Sequence, residues 1–125
     1  MGNENFDITV RSDPPYHVVA LRGALDASSE SAFCDALDPL CEPDGDLPPH
    51  ILLDCMTLSY VNSATFGLFF HYHRKCESRN GRLVLCGMPA KIESIVKLLG
   101  LHQVLTIHSS LEEAQAAVSA EPSRK

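Results

Sequence analysis

Ile51-Leu52-Leu53 is the feature that most limits what this chain can fold into. Three contiguous apolar residues, flanked by polar and turn residues and closed by Asp54, read as a buried strand. A second strand over His17–Arg22 carries Val18-Val19-Ala20-Leu21, nearly continuous and therefore buried on both faces. Such strands need other elements packed on their sheet, and the rest of the chain supplies helical periodicity for that purpose.

The remaining elements follow in order. Phe6-Asp7-Ile8-Thr9-Val10 alternates strictly, which predicts a half-buried strand, and Asp13-Pro14-Pro15 is a turn signal. Gly23-Ala24-Leu25-Asp26 leaves the second strand, and Ser28 or Ser29 can start a helix whose apolar face is Phe33, Ala36, Leu37 and Leu40. Glu42–Pro49 is an acidic, proline-rich loop. After Asp54 a short loop leads to Val61-Asn62-Ser63 and a helix from Ala64 to about Arg79, stopped by Asn80-Gly81. Leu83–Cys86 is a strand. Pro89 fits the first turn of a helix with buried face Ile92, Ile95, Val96 and Leu99, ended by Gly100. Val104–Ile107 is the last strand. Ser110 and Glu113 form a capping box for a helix with apolar face Leu111, Ala114 and Val118, and Glu121–Lys125 is expected to fray. Alternation from the second strand onward implies parallel strands joined by right-handed crossovers. The expectation is an α/β single domain over residues 1–120, with a mixed, mostly parallel sheet of roughly five strands and roughly four helices.

Charge narrows the function classes. Lys and Arg number 10 against 16 Asp and Glu, a net charge of −6, with no basic cluster, which argues against nucleic acid or an anionic membrane as partner. No apolar run is long enough for membrane insertion, and Met1–Phe6 carries no secretory pattern. The five cysteines are scattered, as expected of reduced thiols in a cytoplasmic protein. An enzymatic role is not expected. His71 and His73 are too far along the Ser63 helix to serve that serine as a base, and no G-x-S-x-G elbow is present. Two residues apart on a helix, His71 and His73 point nearly oppositely and cannot share a metal. No glycine-rich phosphate loop occurs, and no cofactor is implied.

Ser63 is the candidate functional residue. Asn62 and Ser63 stand where a helix begins, and either oxygen can accept from unpaired first-turn N–H groups. The same N–H groups and the helix dipole tolerate an anion, so a phosphate on Ser63 need not melt the helix. Ser63 is thus either a capping serine or a charge switch. Along that helix Phe66, Phe69, His73 and Cys76 form the core face, with Gly67, His71, Arg74 and Ser78 opposite. Gly67 leaves room for another backbone, either inside this chain or from a partner. Leu68 and Phe70 flank the exposed stripe and would form an apolar docking patch where exposed.

Four segments together resemble the STAS family, the sulphate transporter and anti-sigma factor antagonist domains: Gly23-Ala24-Leu25-Asp26, Leu52-Leu53-Asp54, Val61-Asn62-Ser63-Ala64-Thr65-Phe66-Gly67, and Asn80–Gly87 followed by Leu99-Gly100-Leu101. The similarity spans about Phe6 to Val118. It implies a STAS fold and, for bacterial stand-alone members, an anti-sigma factor antagonist acting by partner switching in transcription regulation. There the serine at the Ser63 position is phosphorylated by an anti-sigma factor that is also a GHKL-type serine kinase, and a PP2C-type phosphatase removes the phosphate. The unphosphorylated form binds the anti-sigma factor. The partner-binding residues so implied are Asp26, Asn62, Ser63, Ala64, Thr65, Gly67, Leu68 and His71, with Asp26 and Asp54 expected at the same sheet edge as Ser63. Asn62 departs from the usual Asp, Ala64 from a common Ser and Thr65 from the usual Gly. The alternative within the family is a non-switching subunit or scaffold, such as the soluble partner of an ABC-type lipid transporter.

Overall fold

The computed structural model describes residues 6–13, 15–42 and 48–120. Pro14 of the proline turn, most of the acidic loop and Glu121–Lys125 lie outside the described residues. Five strands form one sheet in the order β1 (Phe6–Asp13), β2 (Tyr16–Leu25), β3 (His50–Val61), β4 (Arg82–Cys86), β5 (Thr106–His108). β1 pairs antiparallel with β2, and every other pairing is parallel. The helices are α1 (Glu30–Cys41), α2 (Ser63–Glu77), α3 (Ala90–Leu98) and α4 (Leu111–Ala120). This is the mixed α/β sheet expected from the sequence.

Strand order equal to chain order has a consequence for the helices. With crossovers of one hand, each connecting helix falls on the same face. The two cores agree. Phe33 and Leu37 of α1, Phe66, Phe69 and Tyr72 of α2, and Ile92 and Val96 of α3 pack on Val19, Leu21, Ile51, Leu53, Leu83 and Leu85. α4 follows the last strand, is not a crossover, and covers the other face: Ala114 and Val118 pack on Val18, Leu52, Val84 and Cys86. The contiguous apolar runs are thus divided residue by residue between two cores. Each fully buried Leu, Ile or Phe contributes on the order of 2 kcal/mol.

Several expectations are corrected. β3 does not end at Asp54 but continues to Val61, paired throughout with β2. Two register shifts, between Ala20 and Arg22 and between Gly23 and Ala24, add residues on β3 and break the period-two pattern there. Gly23, at φ 90°, sits at the second shift, so Gly23 to Leu25 belong to β2 and do not leave it. In α2 the core residue is Tyr72, not His73. Its hydroxyl donates to Asp38 at 2.7 Å, so the ring can be buried without an unsatisfied group. In α3 only Ile92 and Val96 are buried, whereas Ile95 and Leu99 are exposed because the sheet meets a single i, i+4 stripe. β5 starts at Thr106, and Val104 is exposed. Glu113 reaches past Ser110 to accept from the Ser109 N–H and hydroxyl, while the Ser110 hydroxyl accepts from the Glu113 N–H as expected.

Candidate functional site

The site is built where β2 and β3 end together. Leu25 pairs with Val61 in register, so Asp26 and Asn62 leave adjacent strands side by side. The Asn62 N–H donates to the Leu25 carbonyl at 3.1 Å, extending that pairing to the first residue of the turn. Asn62 then caps α2: its Oδ1 accepts from the Thr65 N–H at 2.9 Å. The cap is Asn62, and Ser63 becomes the first helical residue, exposed to solvent. The first turn of α2 carries no acidic side chain, while Arg74 and Lys75 stand in its last turn, as the helix dipole favours.

Thr65 is not available to a partner, contrary to expectation. It is fully buried, and its hydroxyl lies 2.9 Å from the Asn62 carbonyl, 3.0 Å from Asn62 Oδ1 and 3.1 Å from the Leu25 carbonyl. One hydroxyl proton serves one of these acceptors at a time, and all three lie at the β2–α2 junction. Thr65 is therefore an internal fastening.

Asp26 is committed locally. Its Oδ1 accepts from the Ser28 N–H at 3.0 Å and the Ser28 hydroxyl at 2.8 Å, and the Asp26 N–H donates to Ser29 Oγ at 2.9 Å. These bonds cap a short 3-10 helix, Ala27–Ser29, that leads into α1. The Ser28 hydroxyl, donating to it, holds the Asp26 carboxyl below the usual range. Asp54 does not join the site. It lies within β3 opposite Cys86, seven residues before Val61, roughly 20 Å along the strand, and accepts from the Met56 N–H at 3.2 Å.

One turn beyond Ser63, Gly67 is exposed, and a Cβ built there meets nothing within 4 Å. Packing among the described residues does not require the glycine. Gly81 is the contrast: a Cβ there would stand 1.8 Å from the Pro49 carbonyl oxygen, and the left-handed residue of that turn is Asn80. Ala64 and His71 are exposed beside Gly67. Leu68 and Phe70 are half-buried and pack on the core, so they form no fully exposed apolar patch. The Arg74 guanidinium covers the Phe70 ring at 5.8 Å. Gly67, Phe70, His71, Arg74, Lys75 and Ser78 line a shallow groove of about 410 Å³ along α2. His71 faces solvent, whereas His73 lies partly covered with Nε2 3.7 Å from Glu77. Tyr60 is half exposed and paired with Ala24 just before the site, and its sequence carries no signal of this because the segment reads as a loop.

Comparisons agree with this architecture. The STAS domain model matches residues 6–114. An anti-sigma factor antagonist from Mycobacterium paratuberculosis is similar at TM-score 0.81 and 18% identity, covering 95% of this chain and 99% of that one. The anti-sigma factor antagonist SpoIIAA in its unphosphorylated form is similar at TM-score 0.77 and 19% identity, covering 94% and 100%. The Bacillus cell fate determinant SpoIIAA in its phosphorylated form is similar at TM-score 0.68 and 21% identity, covering 90% and 98%. At these identities the likeness carries the fold.

Proposed function

The chain belongs to the STAS domain family, and from that premise we propose that it is an anti-sigma factor antagonist whose α2 face binds a partner when Ser63 is unmodified. The observation that carries the reading is the exposed Ser63 hydroxyl on the first turn of α2, with an exposed glycine and open space one turn further along the same helix. A glycine inside an exposed helix costs about 1 kcal/mol relative to alanine. Since nothing among the described residues crowds it, a partner backbone lying on Gly67 accounts for it. Ser63, Ala64, Gly67 and His71 make the face, with Leu68 at its margin and Asn62 and Asp26 shaping its edge.

The partner is an anti-sigma factor with GHKL-type serine kinase activity, and a PP2C-type phosphatase resets the switch. A phosphate on Ser63 adds about −1.5 to −2 charges to the contact. The helix dipole stabilises that anion, so α2 persists and the complex is lost by desolvation and repulsion. Asn62 serves as the helix cap and Thr65 as a buried fastening, and neither occupies the Ser63 hydroxyl. In phosphoryl transfer the kinase supplies the base, so Asn62 does not preclude modification.

The test is peptide mapping of the protein from its native host, with capture of bound partners. Phosphate on Ser63, and a serine kinase captured only by the unphosphorylated form, support the switch. Ser63 unmodified under every growth condition, with a transporter subunit bound constitutively, would overturn it in favour of a non-switching subunit.

A further inference from the structure

The Cys41 and Cys76 sulfurs lie 3.8 Å apart, thiol against thiol, although the residues are 35 positions apart in sequence. Cys41 closes α1, and Cys76 stands in the last turn of α2. Both are fully buried. Their chain neighbours Glu42 and Lys75 join the two helix ends by an ion pair at 3.2 Å, with Glu42 exposed and Lys75 partly exposed. Exposed ion pairs hold weakly, and fraying of a last helical turn is a low-cost opening, so a small molecule can reach the pair without global unfolding.

The other thiols are arranged differently. Cys55 and Cys86 each donate to the Leu53 carbonyl, at 3.6 and 3.4 Å, and burial pushes both up, Cys86 to about 12. Cys34 is half-buried and has no cysteine hydrogen-bonded to it among the described residues. In the Cys41–Cys76 pair the shared hydrogen bond pulls Cys41 below the ordinary thiol value, and the Lys75 ammonium acts in the same direction.

We propose that Cys41 and Cys76 are a dithiol modification site that a peroxide converts to an intramolecular disulfide joining the ends of α1 and α2. The Cys41 thiolate attacks one peroxide oxygen. The O–O bond breaks, hydroxide leaves and takes up a proton as water, and Cys41 becomes a sulfenic acid. The Cys76 sulfur then attacks the Cys41 sulfur. The S–O bond breaks, and a second water leaves with the thiol proton. The sulfur pair loses two electrons and the peroxide gains them. Side-chain rotation brings the sulfurs from 3.8 Å to bonding distance, about 2.05 Å. The loop so closed contains β3 and nearly all of α2, Ser63 included.

The experiment treats the folded protein with hydrogen peroxide, blocks remaining thiols by alkylation under denaturing conditions, and reads intact mass and linked peptides. The expected result is loss of two hydrogens, a Cys41–Cys76 linked peptide, and a Tm that rises and returns on adding dithiothreitol. Cys41→Ala and Cys76→Ala should abolish the linkage, and Cys34→Ala should leave it intact. Alkylation of all five thiols after treatment, or oxidation confined to Cys34, would overturn the proposal. The linked peptide from the unmutated protein decides the matter even where an alanine variant folds poorly.

Discussion

Asn62 Oδ1 accepts from the Thr65 backbone N–H at 2.9 Å, and this one bond fixes where α2 begins. It puts Asn62 in the cap and leaves the Ser63 hydroxyl outside any capping duty. Asn62→Ala should therefore destabilise the fold by about 1 kcal/mol, read as a lower urea midpoint at unchanged slope. Asn62→Asp keeps the accepting oxygen and adds a negative charge at the helix N-terminus. It should be neutral or stabilising by a few tenths of a kcal/mol.

Gly67 and Gly81 should respond oppositely to the same substitution. Gly67→Ala meets open space and should stabilise the protein by up to about 1 kcal/mol. It should also weaken the partner complex, if a backbone lies there. Gly81→Ala would drive a methyl into the Pro49 carbonyl, which is itself held by the Arg82 N–H at 3.0 Å. A loss of about 3 kcal/mol is expected, or failure to accumulate. Urea unfolding of the two variants side by side, with binding measured on Gly67→Ala, checks the pair.

Ser63→Asp and Ser63→Glu should leave the thermal midpoint close to that of the unmutated protein, because the added charge sits on the first turn of α2. Binding of the cognate anti-sigma factor should fall by about a hundredfold or more, and Ser63→Ala should retain it. Calorimetric titration with that partner checks this. Equal affinity across all three variants would remove Ser63 from the mechanism.

The Thr65 hydroxyl should matter less than its methyl. Thr65→Val keeps the buried shape, and the Leu25 carbonyl still accepts from the Asn62 N–H, so a loss of about 1 kcal/mol is expected. Thr65→Gly, which restores the residue usual in the family, removes buried volume and adds backbone freedom within α2. It should cost more, about 2 kcal/mol or above. Chemical denaturation of both variants gives the order directly.

Acid should act partly through Asp26. The Ser28 hydroxyl lowers its carboxyl in the folded protein, so its contribution is complete above the ordinary carboxylate value. It is lost as pH falls through the lower folded value, a window below about pH 4. Asp26→Asn should flatten the fall of Tm on that acid limb and leave its shape near neutrality unchanged. A parallel fall in both proteins would mean the Ser28 bonds do not couple to folding.

One reading of α2 and one of β3 show where periodicity stops being informative. Phe66, Phe69 and Cys76 are buried as their spacing predicts, yet Tyr72 rather than His73 completes the row. Both fit a helical stripe, and what selects Tyr72 is Asp38, an acceptor brought from α1. β3 is the second case. Residues 55–61 read as a loop because two bulges against β2 destroy their alternation, and a bulge is a property of a pairing, not of a strand alone.

By itself the sequence determined the element order, the doubly buried strands, the family and the serine at the start of α2. Those follow from local propensity and from apolar runs that no solvated strand would carry. Only the tertiary structure decided that Asn62 caps and Ser63 does not, that Thr65 turns inward and that Asp54 stands apart. It also brought Cys41 to Cys76 and showed Gly67 facing open space. Each of those depends on what lies across a gap from a distant part of the chain, and local sequence does not specify its own neighbours.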